Sequence, residues 1–544
     1  MTPPAPTAAA AFERSARRWA DRPFLCVGPL APRSYLPDGW EIDYGTAATI
    51  IEDLRQAYSR AGYGHGHRVG LLLENRPEHH LHFLAFNGLG VSIVPLNPDY
   101  RADEARYVIE HSELSLIVTL PHRRQAIAEV AAVCRQCPPV VALGADRFEP
   151  PTSVTPAPFK GTPTAESEAS LLYTSGTTGR PKGCVIPNEY YDLVGQLYCE
   201  AGGLAVMREG EERIFNPLPL FHMNAGAFSF MAAVRTGGCS ILPDRFHPSS
   251  WWRELIDSRA TIAHYLGIIP AMLIKMAPSA DDRGHHLRFC AGAGVEPEIH
   301  AAFEKRFNVP LLELWGMTET GGGFIASQEP RLVHTRAFGR PSGRAGLDMD
   351  VRIVDADDRD VPVGAPGELL VRRAGPQPRR GFFREYLKNA DATAQVWRGG
   401  WFHTGDVVRQ DESGMLFFID RNKNIIRRSG ENIAAAEVEA TLLAHDAVAE
   451  VAVVAVPDDL REEEVMACVV VRAGCEVGRA LAEDLFAFSN KRLAYYKPPG
   501  WIVFVDALPK TSTQKVQKTE IFKGVDPRTL PATFDLRALK RRTA

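Results

Sequence analysis

Residues 171–183 read LLYTSGTTGRPKG. An apolar run, Leu171, Leu172 and Tyr173, stops at small polar residues and ends in a lysine, which is a strand feeding a loop with little side-chain bulk near its backbone. Gly176, Gly179 and Gly183 permit the positive φ that aims successive N–H groups into one concavity, a nest for an anion. Thr174, Ser175, Thr177 and Thr178 add hydroxyl donors, and Arg180 and Lys182 add positive charge. A polyphosphate suits that chemistry. A Walker A loop does not: Lys182 follows Pro181 and precedes Gly183, so the Gly-Lys-[Ser/Thr] that opens a helix is absent. Taken alone, a surface loop of small polar residues stays open.

The bulk properties narrow the class. A length of 544 residues suggests three or four compact units at roughly 150 residues each. With 45% hydrophobic and 24% charged residues the composition is that of a globular protein. A net charge of −4 argues against nucleic acid as a partner. The nine cysteines are scattered and odd in number, and Cys134 with Cys137 is an isolated CxxC lacking a second pair or a nearby histidine, so thiols in a reducing compartment are expected, not zinc. No run approaches the ~18 apolar residues of a membrane helix, so no integral membrane segment is expected. The first twenty residues have no basic n-region, and the final KRRTA is neither a peroxisomal nor an ER-retention tag. The expected location is cytoplasmic. Quaternary state is open, a homodimer included.

Short β-rich runs at 68–73, 91–96, 116–120, 140–143, 214–216, 239–242 and 311–314 alternate with helical stretches such as 77–88 and 102–111. That alternation predicts α/β architecture with parallel sheets covered on both faces. Residues 149–167, rich in Pro, Thr and Ala, read as a connector. From 351 the pattern changes to strands at 351–354, 367–372 and 415–419 separated by turns, an antiparallel or barrel-like section. A helix at 436–443, strands at 448–456 and 467–471 and a helix at 481–492 then make a small α+β unit, with a boundary near 420–423.

The phosphate-loop segment resembles that of the adenylate-forming (ANL) superfamily, which includes acyl-CoA synthetases, adenylation domains and luciferases. The resemblance runs from RVGLLLENRPE near residue 70 to KTSTQKVQK near residue 515, with the motifs in the family's order. It implies a large N-terminal AMP-binding domain (1–420) for ATP and the acyl substrate. A small mobile C-terminal domain (424–530) would carry the catalytic lysine and the coenzyme A side. The hinge lies at about 421–423, with Lys423 where relatives place an Asp or Lys.

The remaining motifs take roles by that resemblance. In PLPLFHMN (217–224), His222 is expected at the acyl pocket as a gating residue. In AGAG (291–294), expected after a strand at 287–290, the small residues Gly292 and Ala293 let a planar group approach the backbone, flanking adenine and acyl group; tight helix–sheet packing is the competing reading. In WGMTET (315–320), Trp315 offers an aromatic face to adenine, Gly316 avoids a clash beside Met317, Thr318 can donate to a phosphate, and Glu319 can hold Mg2+. Relatives more often have Tyr at Trp315. Asp406 of WFHTGD matches the ribose ligand, assisted by Arg421. Lys515 matches the lysine bridging substrate carboxylate and nucleotide, although Gln514 stands where relatives usually carry Gly. Gly430 of RRSGEN aligns with the thiol-side loop, where Ser429 replaces the first of two frequent glycines.

The reaction so implied is ATP-dependent activation of a small-molecule carboxylic acid as acyl-AMP, followed by transfer to coenzyme A. The motif mixture is nearest to ligases of the carnitine/crotonobetaine-CoA type. Two alternatives stay open: delivery of the acyl group to an amine or a separate carrier protein, and a non-catalytic adenylate-binding regulator. Retention of Glu319, Asp406, Arg421 and Lys515 together argues against the regulator, because binding alone needs no bridging lysine.

Overall fold

The computed structural model describes residues 7–31, 33–144, 149–153, 155–174, 180–295, 297–342, 347–355, 357–421, 425–509, 516, 518, 521–522 and 524–541. The chain forms two compact units. One comprises Met1–Pro98, Val108–Leu172 and Gly183–Asp420; the other comprises Asp99–Tyr107, Tyr173–Lys182 and Arg421–Ala544.

Strand–helix alternation in the first unit yields the expected parallel sheets. Strands Arg68–Leu72, Ser92–Pro95 and Leu116–Thr119 pair in parallel within a six-stranded sheet, whose far edge is formed by Glu168–Thr174 and Lys182–Pro187. An eight-stranded sheet places Leu311–Trp315, Phe289–Ala293, Ile262–Leu266, Arg213–Phe215 and Cys239–Ile241 side by side in parallel. Most residues of these strands are buried. Helices Pro77–Gly88, Asn188–Cys199 and Ser229–Thr236 share one core with them. The turn-rich section forms an antiparallel five-stranded sheet in the order Ala337–Gly339, Leu416–Arg421, Phe402–Gln410, Gly367–Arg373, Met349–Val354.

One expected element is displaced. The strand expected at 287–290 is Phe289–Ala293, so Ala291, Gly292 and Ala293 lie inside it instead of following it. Gly292 pairs with Tyr265, and a Cβ there would sit 2.2 Å from the Tyr265 carbonyl oxygen. Absence of a side chain is what lets the strand continue through this position.

The second unit is α+β. Val448–Asp458 pairs with Glu462–Val471, which also pairs with the parallel strand Trp501–Phe504 and, at Glu462, with the hairpin Ile425–Arg428/Glu431–Ala434. Helices Ala435–Leu443 and Arg479–Asn490 pack on that sheet through Val438, Leu442, Leu485 and Phe486.

The first unit buries four histidines without charge. His79, His80 and His82 lie in helix Pro77–Gly88, and His264 in strand Ile262–Leu266. His82 Nδ1 meets the Tyr58 hydroxyl at 2.7 Å, and His264 Nε2 meets that of Tyr198 at 3.0 Å. His80 stacks on Phe230 at 3.8 Å, and neither of its ring nitrogens meets a hydrogen-bond partner among the described residues. Burial pushes His79 down to about 4, His82 and His264 to about 3, and His80 well below the usual range. These depressed values fix the sign of the pH dependence. Below the unfolded value near 6.5 the unfolded chain takes up protons that the folded chain refuses. Stability therefore falls as pH drops from that value toward 4, by about 1.4 kcal/mol per pH unit for each histidine. We expect His80→Phe to raise the urea midpoint more at pH 5 than at pH 7; an equal or larger gain at pH 7 would remove this histidine from the acid response.

Candidate active site

Two residues singled out in different motifs meet in the structure. Trp315 ends the strand Leu311–Trp315 of the eight-stranded sheet, and Asp406 lies in Phe402–Gln410 of the antiparallel sheet. The indole Nε1–H donates to Asp406 Oδ2 at 2.8 Å, with Trp315 7% and Asp406 1% exposed. Phe324 and Phe338 pack the indole with ring centroids at 5.8 and 6.0 Å. Gly323 makes room for the ring, since a Cβ there would lie 2.5 Å from Trp315 Cε3, and a Cβ on Gly316 would lie 3.1 Å from Gly322 Cα. Asp406 is set from below by its neighbours. The Thr404 hydroxyl accepts from the Asp406 N–H at 3.0 Å, and Glu368 Oε1 accepts from the Gly405 N–H at 2.9 Å. Arg421 closes the adjoining strand Leu416–Arg421.

Glu319 is oriented by a residue that the sequence reading missed. The Tyr386 hydroxyl donates to Glu319 Oε1 at 2.7 Å, and the Phe383 N–H donates to the Glu319 carbonyl at 2.8 Å. Burial, reinforced by the Glu319 charge, raises the Tyr386 hydroxyl far above the usual phenol value, so it stays a donor. Tyr386 is itself held by backbone pairing with the strand that leaves the phosphate loop: Leu387 N–H to Gly183 O at 2.8 Å and Arg384 N–H to Val185 O at 2.8 Å. Thr318 and Met317 occupy the turn between. The Thr320 hydroxyl accepts from Met317 N–H at 3.0 Å and donates to Gly322 O at 2.9 Å. A carboxylate fixed at one oxygen beside hydroxyl-bearing turn residues fits a hard divalent cation.

The Ala291–Gly294 segment is braced by Glu313. Its carboxylate accepts from Tyr265 hydroxyl at 2.6 Å, from Gly294 N–H at 2.9 Å and from Val295 N–H at 3.3 Å. Gly294 takes φ +82, and Gly267 crosses so close that a Cβ on it would lie 1.9 Å from Gly294 O. His222 lies in the connection between Arg213–Phe215 and a π-helical turn, Asn224–Phe228; Phe221 sits beside its ring at 4.5 Å. Asn75 pins that connection, donating to Leu218 O and accepting from Leu220 N–H, both at 3.0 Å. No spacing rule announces Asn75, Tyr386 or Glu313, since each acts on a segment distant in sequence.

The remaining nominated residues are placed as follows. Thr174 ends its strand and Lys182 begins the next, while Ser175, Gly176, Thr177, Thr178 and Gly179 lie outside the described residues, as do Lys423 and Lys515. On the loop's exit side, Pro181 O accepts from the Tyr107 hydroxyl at 3.1 Å, and Arg180 lies over the Tyr107 ring at 5.2 Å. Ser429 and Gly430 form the two-residue turn of the hairpin in which Arg428 pairs with Glu431; both have positive φ, +51 and +86. That is a type I′ turn, which matches the right-handed strand twist and favours Gly or Asn where Ser429 stands. Among the described residues one His/carboxylate group, Asp358, Glu368 and His403, has ligand atoms within 4.8 Å of each other, and Arg398 already lies 3.2 Å from both Asp358 oxygens.

Residues 12–387 match the model of the AMP-binding enzymes, and residues 437–515 that of the AMP-binding enzyme C-terminal domain. The chain belongs to the AMP-binding enzyme family. It is 31% identical to the sulfoacetate–CoA ligase of Cupriavidus necator over 529 residues, covering 95% of this chain and 97% of that protein. It is 32% identical to the crotonobetaine/carnitine–CoA ligase of Shigella dysenteriae over 472 residues, 84% and 88% of the two chains. Among solved structures, the amide bond synthetase McbA of Marinactinospora thermotolerans superposes with a TM-score of 0.79 at 25% identity, covering 94% of this chain and 98% of that one. Membership makes the chain an adenylate-forming enzyme of the ANL superfamily. No helix among the described residues is long and apolar enough to cross a membrane.

Two substitutions separate the roles drawn above. Trp315→Phe keeps an aromatic ring but loses the N–H to Asp406, and is expected to raise the KM for ATP about tenfold, a charge-assisted hydrogen bond being worth roughly 1.5–3 kcal/mol. Tyr386→Phe should instead shift the magnesium titration to higher concentration at saturating ATP. Unaltered nucleotide affinity in the first variant, or an unmoved metal curve in the second, would contradict the assignment.

Proposed function

We propose that this enzyme activates a small carboxylic acid with ATP and transfers the acyl group to coenzyme A, acting as an AMP-forming acid–thiol ligase in the cytoplasm. The observation that carries the reading is the convergence of Trp315 and Asp406, which come from different sheets, within a chain that matches both domains of the family. A buried carboxylate with one oxygen tied by an indole accepts well from a vicinal diol such as ribose. The glycine-rich loop 175–179 takes the triphosphate, with Lys182 and the Thr174 hydroxyl at its rims. When bound, Mg2+ would supply charge neutralisation for the departing pyrophosphate, and Glu319, oriented by Tyr386, would hold it.

The chemistry has two halves. The substrate carboxylate attacks the α-phosphate and displaces pyrophosphate, with Lys515 stabilising charge that develops there. The coenzyme A thiolate then attacks the acyl carbonyl, and AMP leaves. Lys515 serves the first half and the hairpin turn at Gly430 the second, so a change of arrangement about Lys423 lets one pocket serve two transition states. His222 gates the acyl side. Gly292 and Ala293 flank the adenine and acyl groups. Gly322 faces Leu197 and Phe228, whose atoms would lie 3.5 and 3.7 Å from an added Cβ. A short acid is in keeping with the small acids named for the two ligase relatives.

A second reading, acyl transfer to an amine, is favoured by the likeness to an amide bond synthetase. One experiment separates the two: pyrophosphate release across short carboxylic acids, with CoA, with amines and with neither. The proposal expects AMP and thioester to accumulate only with CoA; amide formation without CoA would replace it. Lys515→Ala should abolish adenylate formation while supplied acyl-adenylate still reacts with CoA, and equal loss of both halves would contradict the division of labour.

A further inference from the structure

The hairpin turn at Ser429–Gly430 is anchored by a buried charge cluster that the reaction scheme above does not use. Arg428, 3% exposed, precedes the turn and donates Nε–H to Glu464 Oε2 at 2.7 Å. Glu464, 1% exposed, sits on the partner strand Glu462–Val471, where Arg428 pairs with Glu462. Its other oxygen accepts from Lys540 Nζ and from Val465 N–H at 2.8 Å. Lys540 Nζ also donates to Tyr496 O at 3.1 Å, and its side chain is fully buried.

The segment that delivers Lys540 is built into the sheet. Strand Thr533–Asp535 pairs with Trp501–Phe504, the Leu536 N–H donates to Gly500 O at 2.9 Å, and Arg537 bridges Asp535 and Asp458. Gly500 closes the cluster from above, since a Cβ there would lie 2.5 Å from Glu464 Cδ. Two buried cations thus share one buried carboxylate. Removing either leaves Glu464 with a changed hold on the other, a costly situation in a desolvated site. The turn is tied to the same strand directly: Ser429 N–H donates to Arg461 O, and Arg461 Nη1 to Ser429 Oγ, both at 3.1 Å.

We infer that Lys540 is a positioning residue for the acyl-transfer half of the reaction: through Glu464 and Arg428 it fixes the Ser429–Gly430 turn past which the thiol reaches the acyl group. The inference rests on the reading of that turn as the thiol side. Lys540 is responsive near neutrality. Burial holds its ammonium down to about 7, Glu464 draws it up, and Arg428 and Arg461 press it down. Above that pH a neutral amine grips Glu464 less firmly, and the turn loosens.

The test uses the full chain and the acid giving most pyrophosphate release. At about pH 6.5, Lys540→Met is expected to slow transfer from supplied acyl-adenylate to CoA about tenfold, the worth of one charge-assisted hydrogen bond, while ATP–pyrophosphate exchange changes less than about twofold. The gap between wild type and Lys540→Met should shrink as pH rises past the wild-type titration, and Lys540→Arg should restore transfer and hold it at high pH. Protection of the amides of residues 428–433 from hydrogen exchange, taken relative to the intrinsic rate at each pH and measured without any substrate, should fall in Lys540→Met and in wild type at high pH, but not in Lys540→Arg. That comparison of wild type with Lys540→Arg carries the test if Lys540→Met fails to fold. Wild-type transfer by Lys540→Met, or a gap that ignores pH, overturns the inference. Gly430→Val separates the two levels. If it transfers normally, the thiol-side reading falls. If it is defective while Lys540→Met is normal, only the role of Lys540 falls.

Discussion

A hydrogen bond from the Trp315 indole to the Asp406 carboxylate at 2.8 Å joins two sheets, and the proposed nucleotide site rests on it. Both groups are almost wholly buried, so the bond is made where water cannot compete and where leaving it unmade would cost about 1–3 kcal/mol per stranded group. Much of the local sequence follows from it. Gly323 is a glycine because the indole occupies the space its side chain would fill, and Phe324 and Phe338 pack the ring. Trp315 therefore goes together with the glycine at 323.

The same economy recurs around Glu319 and the acyl side. Each nominated functional segment is held by one buried polar side chain from elsewhere in the chain: Tyr386 for Glu319, Glu313 for the Gly294 turn, Asn75 for the connection carrying His222. Tyr386 also ties Glu319 to the strand leaving the phosphate loop, through pairing of residues 384–387 with Gly183 and Val185. Preorganisation of this kind spends hydrogen-bonding energy in the resting protein, so that in the proposed reaction little reorganisation would be required as charge develops on the nucleotide.

How far all this could be read in advance depends on range. The phosphate-loop reading comes from consecutive residues, glycines for backbone freedom and hydroxyls and cations for an anion, and residues 175–179 lie outside the described residues. Parallel strands are legible from apolar runs bounded by turns, and the change to antiparallel pairing after residue 350 from the loss of intervening helices. The strand through Ala291–Ala293 is misplaced by such reading because Gly292 has no strand propensity of its own; Tyr265 and Glu313 on the flanking strands supply the context. Asn75, Glu313, Tyr386 and Lys540 are illegible for the same reason. Their partners lie tens to hundreds of residues away, and an isolated polar residue in sequence carries no mark of the segment it will hold.

The central claim is that Asp406 is presented to ribose by the indole of Trp315. A crystal structure of the enzyme with AMP tests it most directly. The account predicts an Asp406 oxygen within hydrogen-bond distance of a ribose hydroxyl while Trp315 Nε1 keeps its bond to the same carboxylate. Ribose bound away from Asp406, or an indole turned out of contact with it once AMP is in place, would contradict the account.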